Sequence, residues 1–370
     1  MKIAQIPPLY EAVPPRLYGG TERVVAQLCE ALVDLGHDVT LFASADARTR
    51  ATLVPVRDEA IRLDETKLKS DLAAHMSMLA EVMDRRDQFD IIHFHTDMIH
   101  FTLFEDMAAR TVTTLHGRLD LKDLPSVYRR WSKFPLVSIS NAQRIHLPFA
   151  NWVGTVYHGM QADHSWFTPE PEGYLAFLGR MSPEKGPDRA IAIAKRLGMR
   201  IKMAAKVDPA DEQYFRECIQ PLLNDPLVEF MGEIGDAQKP RFLGGATALL
   251  FPIDWPEPFG LVMIEAMACG TPVVAFGCGS APEVIDEGLT GYIVPDEAAA
   301  VAAVRAIARL DRREVRRRFD RRFSATAMAR GYLDVYADRL AKSPYAADLA
   351  DDETELEDAS HDLASLAQIA

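Results

Sequence analysis

The chain repeats one local pattern along most of its length: a short apolar run followed by a segment with helical periodicity. The apolar runs are rich in Val and Ile, and this alternation is typical of βαβ units, hence of parallel sheets covered by helices. In the first half, strands are predicted at 3–6, 38–43, 91–95, 111–115, 136–139 and 154–157. A helix is predicted over 21–35, because its apolar residues share one face and Gly36 follows as a stop signal.

The second half starts the same pattern again. Strands are predicted at 174–178, 200–204, 228–231, 248–251 and 272–275, with helices at 187–196 and 325–340. A polar stretch, 163–173, holds two prolines and a glycine and is the predicted linker. The chain is also long for one core. We therefore predict an α/β protein with two Rossmann-like, doubly wound domains, 1–165 and 166–324, facing each other across a cleft.

Charge and composition limit the classes of partner. Of the net charge of −13, −8 lies in residues 343–370, an acidic tail predicted to be disordered, which leaves −5 for the body. A mildly acidic body argues against nucleic-acid binding. The nine arginines of 305–322 are predicted to lie on a solvated helix, and a nucleic-acid-facing or lipid-facing helix is the alternative.

The compartment is inferred from what the sequence lacks. No apolar stretch reads as a membrane span, and the N-terminus reads as a buried strand instead of a signal peptide. The four cysteines have no zinc-like or secreted-domain spacing. Three of them stand in apolar contexts, which predicts buried free thiols. These observations favour a cytoplasmic protein.

Two glycine-containing segments stand where a strand gives way to a helix. Gly19 and Gly20, followed by Thr21, precede the first helix, and such a segment is either a phosphate cradle or a simple turn with an N-cap. Arg180 and Lys185 flank a turn after a second-half strand. A turn at the carboxyl end of a strand can direct both cations to one pair of phosphates, although such charges are usually solvated.

Two carboxylates belong to a third segment, 255–270. Glu257 precedes a predicted helix, and Glu265 is the one charged residue in its apolar sequence. A carboxylate in such surroundings needs donors. Either sugar hydroxyls or a structural salt bridge meets that need.

Histidines end two strands of the first half. His116 ends an apolar strand and is either a cleft residue or a satisfied core histidine. His93 and His95 alternate on one strand and point the same way as Asp97. A metal site of two histidines and one carboxylate is the alternative to a wall of the ligand cleft.

Taken in order, these segments resemble the retaining family 4 glycosyltransferases, which have the GT-B fold. The resemblance covers about residues 1–340 and is carried by 19–22, by 178–180 with 185–186, by 257–260 leading to Glu265, and by 270–275 with 289–292. One departure is His158, which stands with Tyr157 and Gly159 where the family commonly has Asn-Gly.

The resemblance implies a role for each matching position. Residues 1–165 would form the acceptor-side domain, 166–324 the nucleotide-sugar-binding domain, and 325–342 a helix that crosses back to the first. The implied catalytic residues are His116, Arg180, Lys185 and Glu257. The implied donor-binding residues are Gly19, Gly20, Thr21, Arg180, Lys185, Glu257, Phe259, Gly260, Leu261 and Glu265, and the implied acceptor-side residues are His95, Asp97 and His158.

The implied reaction is metal-free transfer of a sugar, with retained anomeric configuration, from a nucleotide diphosphate donor. UDP is favoured as the nucleotide and GDP comes next. The acceptor would be a carbohydrate, lipid-linked or small molecule, with no cofactor and with peripheral membrane contact allowed. The alternatives are a nucleotide-sugar epimerase or a phosphorylase on the same scaffold, or a non-catalytic nucleotide-sugar-binding protein. A Rossmann dehydrogenase is disfavoured, because no Gly-x-Gly-x-x-Gly follows the first strand.

Overall fold

The computed structural model describes residues 1–16 and 19–342, so the predicted disorder of 343–370 lies outside the described residues. The first sheet contains β1 Lys2–Ile6, β2 Asp38–Ser44, β3 Thr52–Arg57, β4 Ile91–Phe94, β5 Thr111–Leu115, β6 Leu136–Ser138 and β7 Trp152–Thr155. The second contains β8 Tyr174–Arg180, β9 Arg200–Lys206, β10 Val228–Gly232, β11 Ala246–Phe251, β12 Val273–Phe276 and β13 Gly291–Val294.

Helices connect and cover these strands. They are α1 Gly20–Asp34, α2 Asp71–Asp84, α3 Leu124–Arg130, α4 Asn141–Arg144, α5 Pro187–Leu197, α6 Glu212–Tyr214, α7 Lys239–Gly244, α8 Leu261–Ala268, α9 Ala281–Val284, α10 Glu297–Ala306, α11 Arg312–Arg322 and α12 Ala325–Ala341. In the part of the chain that is described, no helix is long and apolar enough to cross a membrane.

Both sheets are wholly parallel and doubly wound. Within the described ranges the strand orders are β3-β2-β1-β4-β5-β6-β7 and β10-β9-β8-β11-β12-β13. Alternate residues of one strand serve opposite faces: Ile3 packs with α1 and α12, whereas Ala4 packs on the side of α2. The predicted α/β fold of two Rossmann-like units is confirmed.

The strand order reverses at one place in each sheet, between β1 and β4 and between β8 and β11. In doubly wound sheets the connections on either side of such a point leave in opposite directions, and a crevice opens at the carboxyl ends of the strands. These two points therefore mark where a ligand site is expected.

Two kinds of sequence prediction were wrong. The strand predicted at 154–157 lies two residues earlier, as β7, a half-buried edge strand whose Trp152 pairs with Leu136. The arginine-rich segment 305–322 is not one solvated helix. It is interrupted between α10 and α11, and two of its arginines, Arg312 and Arg316, are largely buried.

These two arginines fasten α11 to the second sheet unit. Arg312 donates hydrogen bonds to the carbonyl oxygens of Thr168, Gly244 and Ala246. Arg316 does the same to those of Ala162, Asp163 and Ala268. A guanidinium has five N–H donors, so one arginine can donate to several main-chain carbonyls at once. The segment therefore has a structural role at these positions.

Candidate active site

A cleft of about 1010 Å³ lies between the carboxyl ends of the two sheets. It is bounded by the segments that follow the strands at both reversal points. Every residue assigned to the site from the sequence lines it: Gly19, Gly20, Thr21, His95, Asp97, His116, His158, Arg180, Lys185, Glu257, Phe259, Gly260, Leu261 and Glu265. Residues from both halves of the chain thus share one cavity.

Two helices begin in this cleft, one from each sheet unit. Gly19 precedes α1 and Gly260 precedes α8, and neither helix has a side-chain cap. The two starts are close, since a Cβ on Gly20 would lie 3.9 Å from Leu261 Cδ1. Uncapped first-turn amides and the positive ends of two helix dipoles therefore face one space, which favours an anionic ligand.

The two predicted cations lie on either side of a tight turn after β8. The turn, Pro183–Lys185, ends at Gly186, whose φ of 66° lies in the left-handed region. Arg180 Nη2 donates to Glu184 Oε1 at 2.8 Å, and its Nη1 lies 3.5 Å from Asp211 Oδ2. The Lys185 ammonium pairs with the carboxylate of Glu257. Both cations are thus held in place by carboxylates beside the cleft.

The partner of Glu265 was left open by the sequence, and the structure supplies a lysine. Lys239 Nζ lies 2.7 Å from Glu265 Oε1 and 3.1 Å from Asp236 Oδ1. Asp236 in turn pairs with Arg23 of α1, which connects the second unit to the first. Lys239 was not among the residues predicted from the sequence. Both Lys239 and Glu265 are buried and line the cleft.

His116 stands on the opposite wall, directly after β5. Its Nε2 lies 2.8 Å from His95 Nδ1, and its ring stacks on that of His158 with centroids 5.2 Å apart. Burial lowers the pKa of His116 to about 3, so the ring is neutral at physiological pH. His158 also meets Phe259 edge-on at 4.9 Å, which places it between the two walls of the cleft.

The alternative metal site at His93, His95 and Asp97 receives no support from the geometry. His93 binds Tyr336 Oη and Thr114 Oγ1 through its two ring nitrogens, at 2.7 Å each. The nitrogens of His95 are likewise engaged. Across residues 1–16 and 19–342, no group of three or more His, Cys, Asp or Glu side chains could hold a metal ion.

Asp97, which follows β4 on the wall formed by the first sheet, has an unusual backbone conformation. Its φ is 51°, the left-handed conformation that Asp adopts more readily than most residues. The side chain lines the cleft and is exposed to solvent there. Its carboxylate can therefore accept hydrogen bonds from a ligand.

Two family models match adjoining parts of the chain. The one described as glycosyltransferase family 4 matches residues 18–163, and the one described as glycosyl transferases group 1 matches residues 161–325. The boundary between them falls between the two sheets.

Curated relatives have related activities. A phosphatidyl-myo-inositol mannosyltransferase of Mycolicibacterium smegmatis is 26% identical over 345 residues, which are 82% of this chain and 83% of that protein. A D-inositol 3-phosphate glycosyltransferase of the same species is 24% identical over 336 residues, 75% of each chain.

Solved structures resemble the whole fold. A glycosyltransferase involved in avilamycin A biosynthesis superposes with a TM-score of 0.70 at 25% identity, covering 93% of this chain and 99% of that one. A sucrose-phosphate synthase from Thermosynechococcus elongatus gives a TM-score of 0.74 at 20% identity, with 93% and 100% covered, and supports the fold alone. With two family models that together span residues 18–325, and with two facing Rossmann-like units around one cleft, the chain belongs to the family 4 glycosyltransferases of the GT-B fold.

Proposed function

We propose that this glycosyltransferase moves a hexose from a nucleoside diphosphate sugar to an acceptor hydroxyl, with retained anomeric configuration and without a metal ion. UDP-sugars are the first donors to test and GDP-sugars the next. The observation that carries the proposal is the meeting of two uncapped helix starts and two cations, Arg180 and Lys185, in one cleft. Arginine, lysine and the amides at helix N-termini are the groups that bind phosphates in proteins.

In the proposed mechanism, cationic side chains and helix N-termini take the place of a metal ion. In many phosphate-transferring sites a divalent ion neutralises the leaving group. Here Arg180 and Lys185, with the amides at the starts of α1 and α8, are placed to stabilise a departing nucleoside diphosphate. The buried carboxylate of Glu265 is proposed to accept hydrogen bonds from the ribose hydroxyls, with Lys239 fixing its position.

Retention is proposed to follow from attack on the face that the diphosphate leaves. The acceptor oxygen bonds to the anomeric carbon as the bond from that carbon to the phosphate oxygen breaks. The acceptor proton passes to an oxygen of the departing diphosphate, which balances the exchange. Glu257 is paired with Lys185, and this pairing favours an orienting role at the sugar over that of a covalent nucleophile.

The acceptor is proposed to be a hydroxyl-bearing molecule bound against His116 and Asp97. Two of the relatives described above are named for inositol-type acceptors. Inositol phosphates and phosphatidylinositol are accordingly the first acceptors to test. Binding of the lipid would bring the protein into peripheral contact with a membrane.

The donor is tested by thermal shift with UDP, GDP, ADP and their hexose conjugates, with and without EDTA. A ligand at 100 times its Kd stabilises the folded state by about 2.7 kcal/mol. We expect one nucleotide class to stabilise the protein equally in both conditions. Stabilisation that EDTA removes would contradict the metal-free reaction.

Transfer is then measured with the identified donor and the acceptor panel. Arg180→Ala should lower turnover about 10²–10³-fold, as expected for loss of one preorganised donor. Arg189→Ala is the matched control, because Arg189 is similarly exposed (26% against 29%) and pairs with Asp254 outside the cleft. Equal turnover of the two variants would overturn the role of Arg180.

The products decide the remaining alternatives. A retained configuration at the anomeric carbon, read by NMR coupling constants, supports the mechanism, and inversion contradicts it. Sugar conversion without an acceptor would indicate an epimerase, and a requirement for phosphate a phosphorylase. Nucleotide binding without turnover of any acceptor would indicate a binding protein.

A further inference from the structure

Behind His116 lies a buried row of polar side chains from distant parts of the chain. His95 Nε2 is 2.8 Å from Gln5 Oε1 on β1, and Gln5 Nε2 is 3.2 Å from Tyr336 Oη on α12. Gln5, His95 and Tyr336 are almost fully buried. Polar groups so deep in a fold are costly unless each is paired, so this row has a definite pattern of donors and acceptors.

The direction of the row follows from its two ends. The Gln5 amide nitrogen donates to Tyr336 Oη, which leaves the Gln5 carbonyl oxygen facing His95. That oxygen only accepts, so His95 Nε2 carries a proton. Burial lowers the pKa of His95 well below its usual range, so its ring is neutral and its Nδ1 carries no proton. His95 Nδ1 must therefore accept a hydrogen bond from His116 Nε2.

One proton on the neutral His116 ring is thereby placed on Nε2. Its other nitrogen, Nδ1, is buried and has no hydrogen-bond partner among the residues that the structure describes. His116 lines the cleft, and Nδ1 is left as the ring nitrogen without a proton.

We propose that Gln5 and His95, anchored by Tyr336, are positioning residues that hold His116 in place and fix it as the Nε2–H tautomer, with Nδ1 unprotonated. The effect on turnover rests on the proposed function, whereas the tautomer does not. Helix α12, the last one that the structure describes, thereby supports the active site through Tyr336.

A second set of buried hydrogen bonds continues from Tyr336, at the other end of the row. Tyr336 accepts from Gln5, so its own proton goes to His93 Nδ1 at 2.7 Å. His93 Nε2 then donates to Thr114 Oγ1 at 2.7 Å, which lies 3.0 Å from Tyr332 Oη. Along the hydrogen bonds of the described residues, Tyr332 is therefore further from His116 than Tyr336 is. It supplies a buried hydroxyl of the same kind, on the same helix, as a control.

The tautomer is measured directly on the full chain with ring-¹⁵N-labelled histidine. Neutral imidazole nitrogens with and without a proton give well-separated ¹⁵N resonances, and His116→Asn identifies the signals of His116. We expect Nδ1 of His116 to be the unprotonated nitrogen in the wild-type protein. A proton on Nδ1 overturns the proposal, whether or not any sugar transfer has been detected.

Kinetics test whether the row matters for turnover. Gln5→Met has a similar volume but can pair with neither neighbour, and misplacement of a reacting group by about 1 Å can cost 10²-fold. We expect kcat to fall about 10–100-fold while the KM for the donor changes less than about twofold, and the His116 spectrum to change. Gln5→Glu keeps an oxygen facing His95 and, when protonated, a donor facing Tyr336, so it should restore both.

The two tyrosines provide the matched pair. Tyr336→Phe should lower kcat about tenfold, in line with a small displacement of the reacting group, whereas Tyr332→Phe should leave kcat within about twofold. Equal kcat values in these two variants, or a Gln5→Met enzyme with wild-type kcat and an unchanged His116 spectrum, would refute the positioning role. An inactive wild-type enzyme would refute the proposed function and leave the ¹⁵N test in force.

Discussion

Glu22, in the first turn of α1, allows a quantitative test of the cleft electrostatics. Its side chain is 5% exposed and lies beside the cleft. Desolvation raises its pKa from 4.5 to about 7, with a smaller contribution from the charge of Glu11, while backbone hydrogen bonds and Arg62 act in the opposite direction. The folded protein therefore holds this proton more tightly than the unfolded chain does.

The sign of the pH effect follows from that difference. Between pH 4.5 and 7 the folded state binds more protons than the unfolded state, so the free energy of unfolding falls as the pH rises. One pKa unit corresponds to about 1.4 kcal/mol, so the full loss is on the order of 3 kcal/mol above pH 7. Between pH 5 and pH 8 the loss from Glu22 alone is about 2.5 kcal/mol.

Glu22→Gln removes the titrating group and should therefore gain stability over the wild type as the pH rises. Urea unfolding at pH 5, 6, 7 and 8 measures the difference between the two proteins. We expect the variant's advantage to grow by about 2.5 kcal/mol across this range. A difference that is constant with pH would show that Glu22 is not desolvated as the structure indicates.

Glu30, on the same helix, is the control for this measurement. Burial acts to raise its pKa, but hydrogen bonds from Arg50 and Thr49 outweigh burial and lower it. Its contribution to stability is present at neutral pH and is lost as the pH falls. Glu30→Gln should therefore lose stability relative to the wild type at pH 8, the opposite trend to Glu22→Gln.

Two further predictions concern the turn and the ion pair beside the cleft. Gly186→Ala should destabilise the fold by at least 1 kcal/mol more than Gly198→Ala, as measured by urea unfolding. Both glycines have a left-handed φ, but only at Gly186 would the new Cβ collide with a backbone carbonyl, that of Pro252. Equal losses of stability in the two variants would contradict this. Lys239→Met should cost about 3–5 kcal/mol by leaving the Glu265 carboxylate buried without its lysine, and adding Glu265→Gln should restore part of the loss. Purely additive losses in this double-mutant cycle would argue against the pairing.

The interior strands of each sheet were predicted from the sequence more completely than the edge strands. The interior strand β12 is buried along most of its length, and its sequence is a continuous apolar run. The edge strands β3 and β13 were missed. Both are partly exposed, and β3 contains Pro55. A strand with one neighbour is less completely buried and has a weaker apolar pattern than a central strand. The edge strand β10 was nevertheless predicted at 228–231 and is found at Val228–Gly232.

The candidate site was predictable in its positions but not in its pairings. Gly20, Arg180 and Glu257 follow strands or begin helices, and the rule that ligands bind at carboxyl ends of parallel strands places them together. The partner of Glu265 lies 26 residues away, and that of Gln5 lies 331 residues away. Residue type indicates that a partner is needed, but only the packing of α7 and α12 determines which residue meets the need.

The two walls of the cleft therefore differ in how much of their chemistry can be predicted from the sequence. On the wall formed by the second sheet, Arg180 and Lys185 lie within one turn, so local geometry brings the cations together. On the other wall, the chemical state of His116 is set through Gln5 by Tyr336, a residue on the last described helix. A charge can be recognised from residue type alone, whereas the tautomer of a histidine depends on what its second nitrogen contacts. The cations of this cleft can therefore be recognised in short sequence motifs, whereas the protonation of His116 follows only from the tertiary structure.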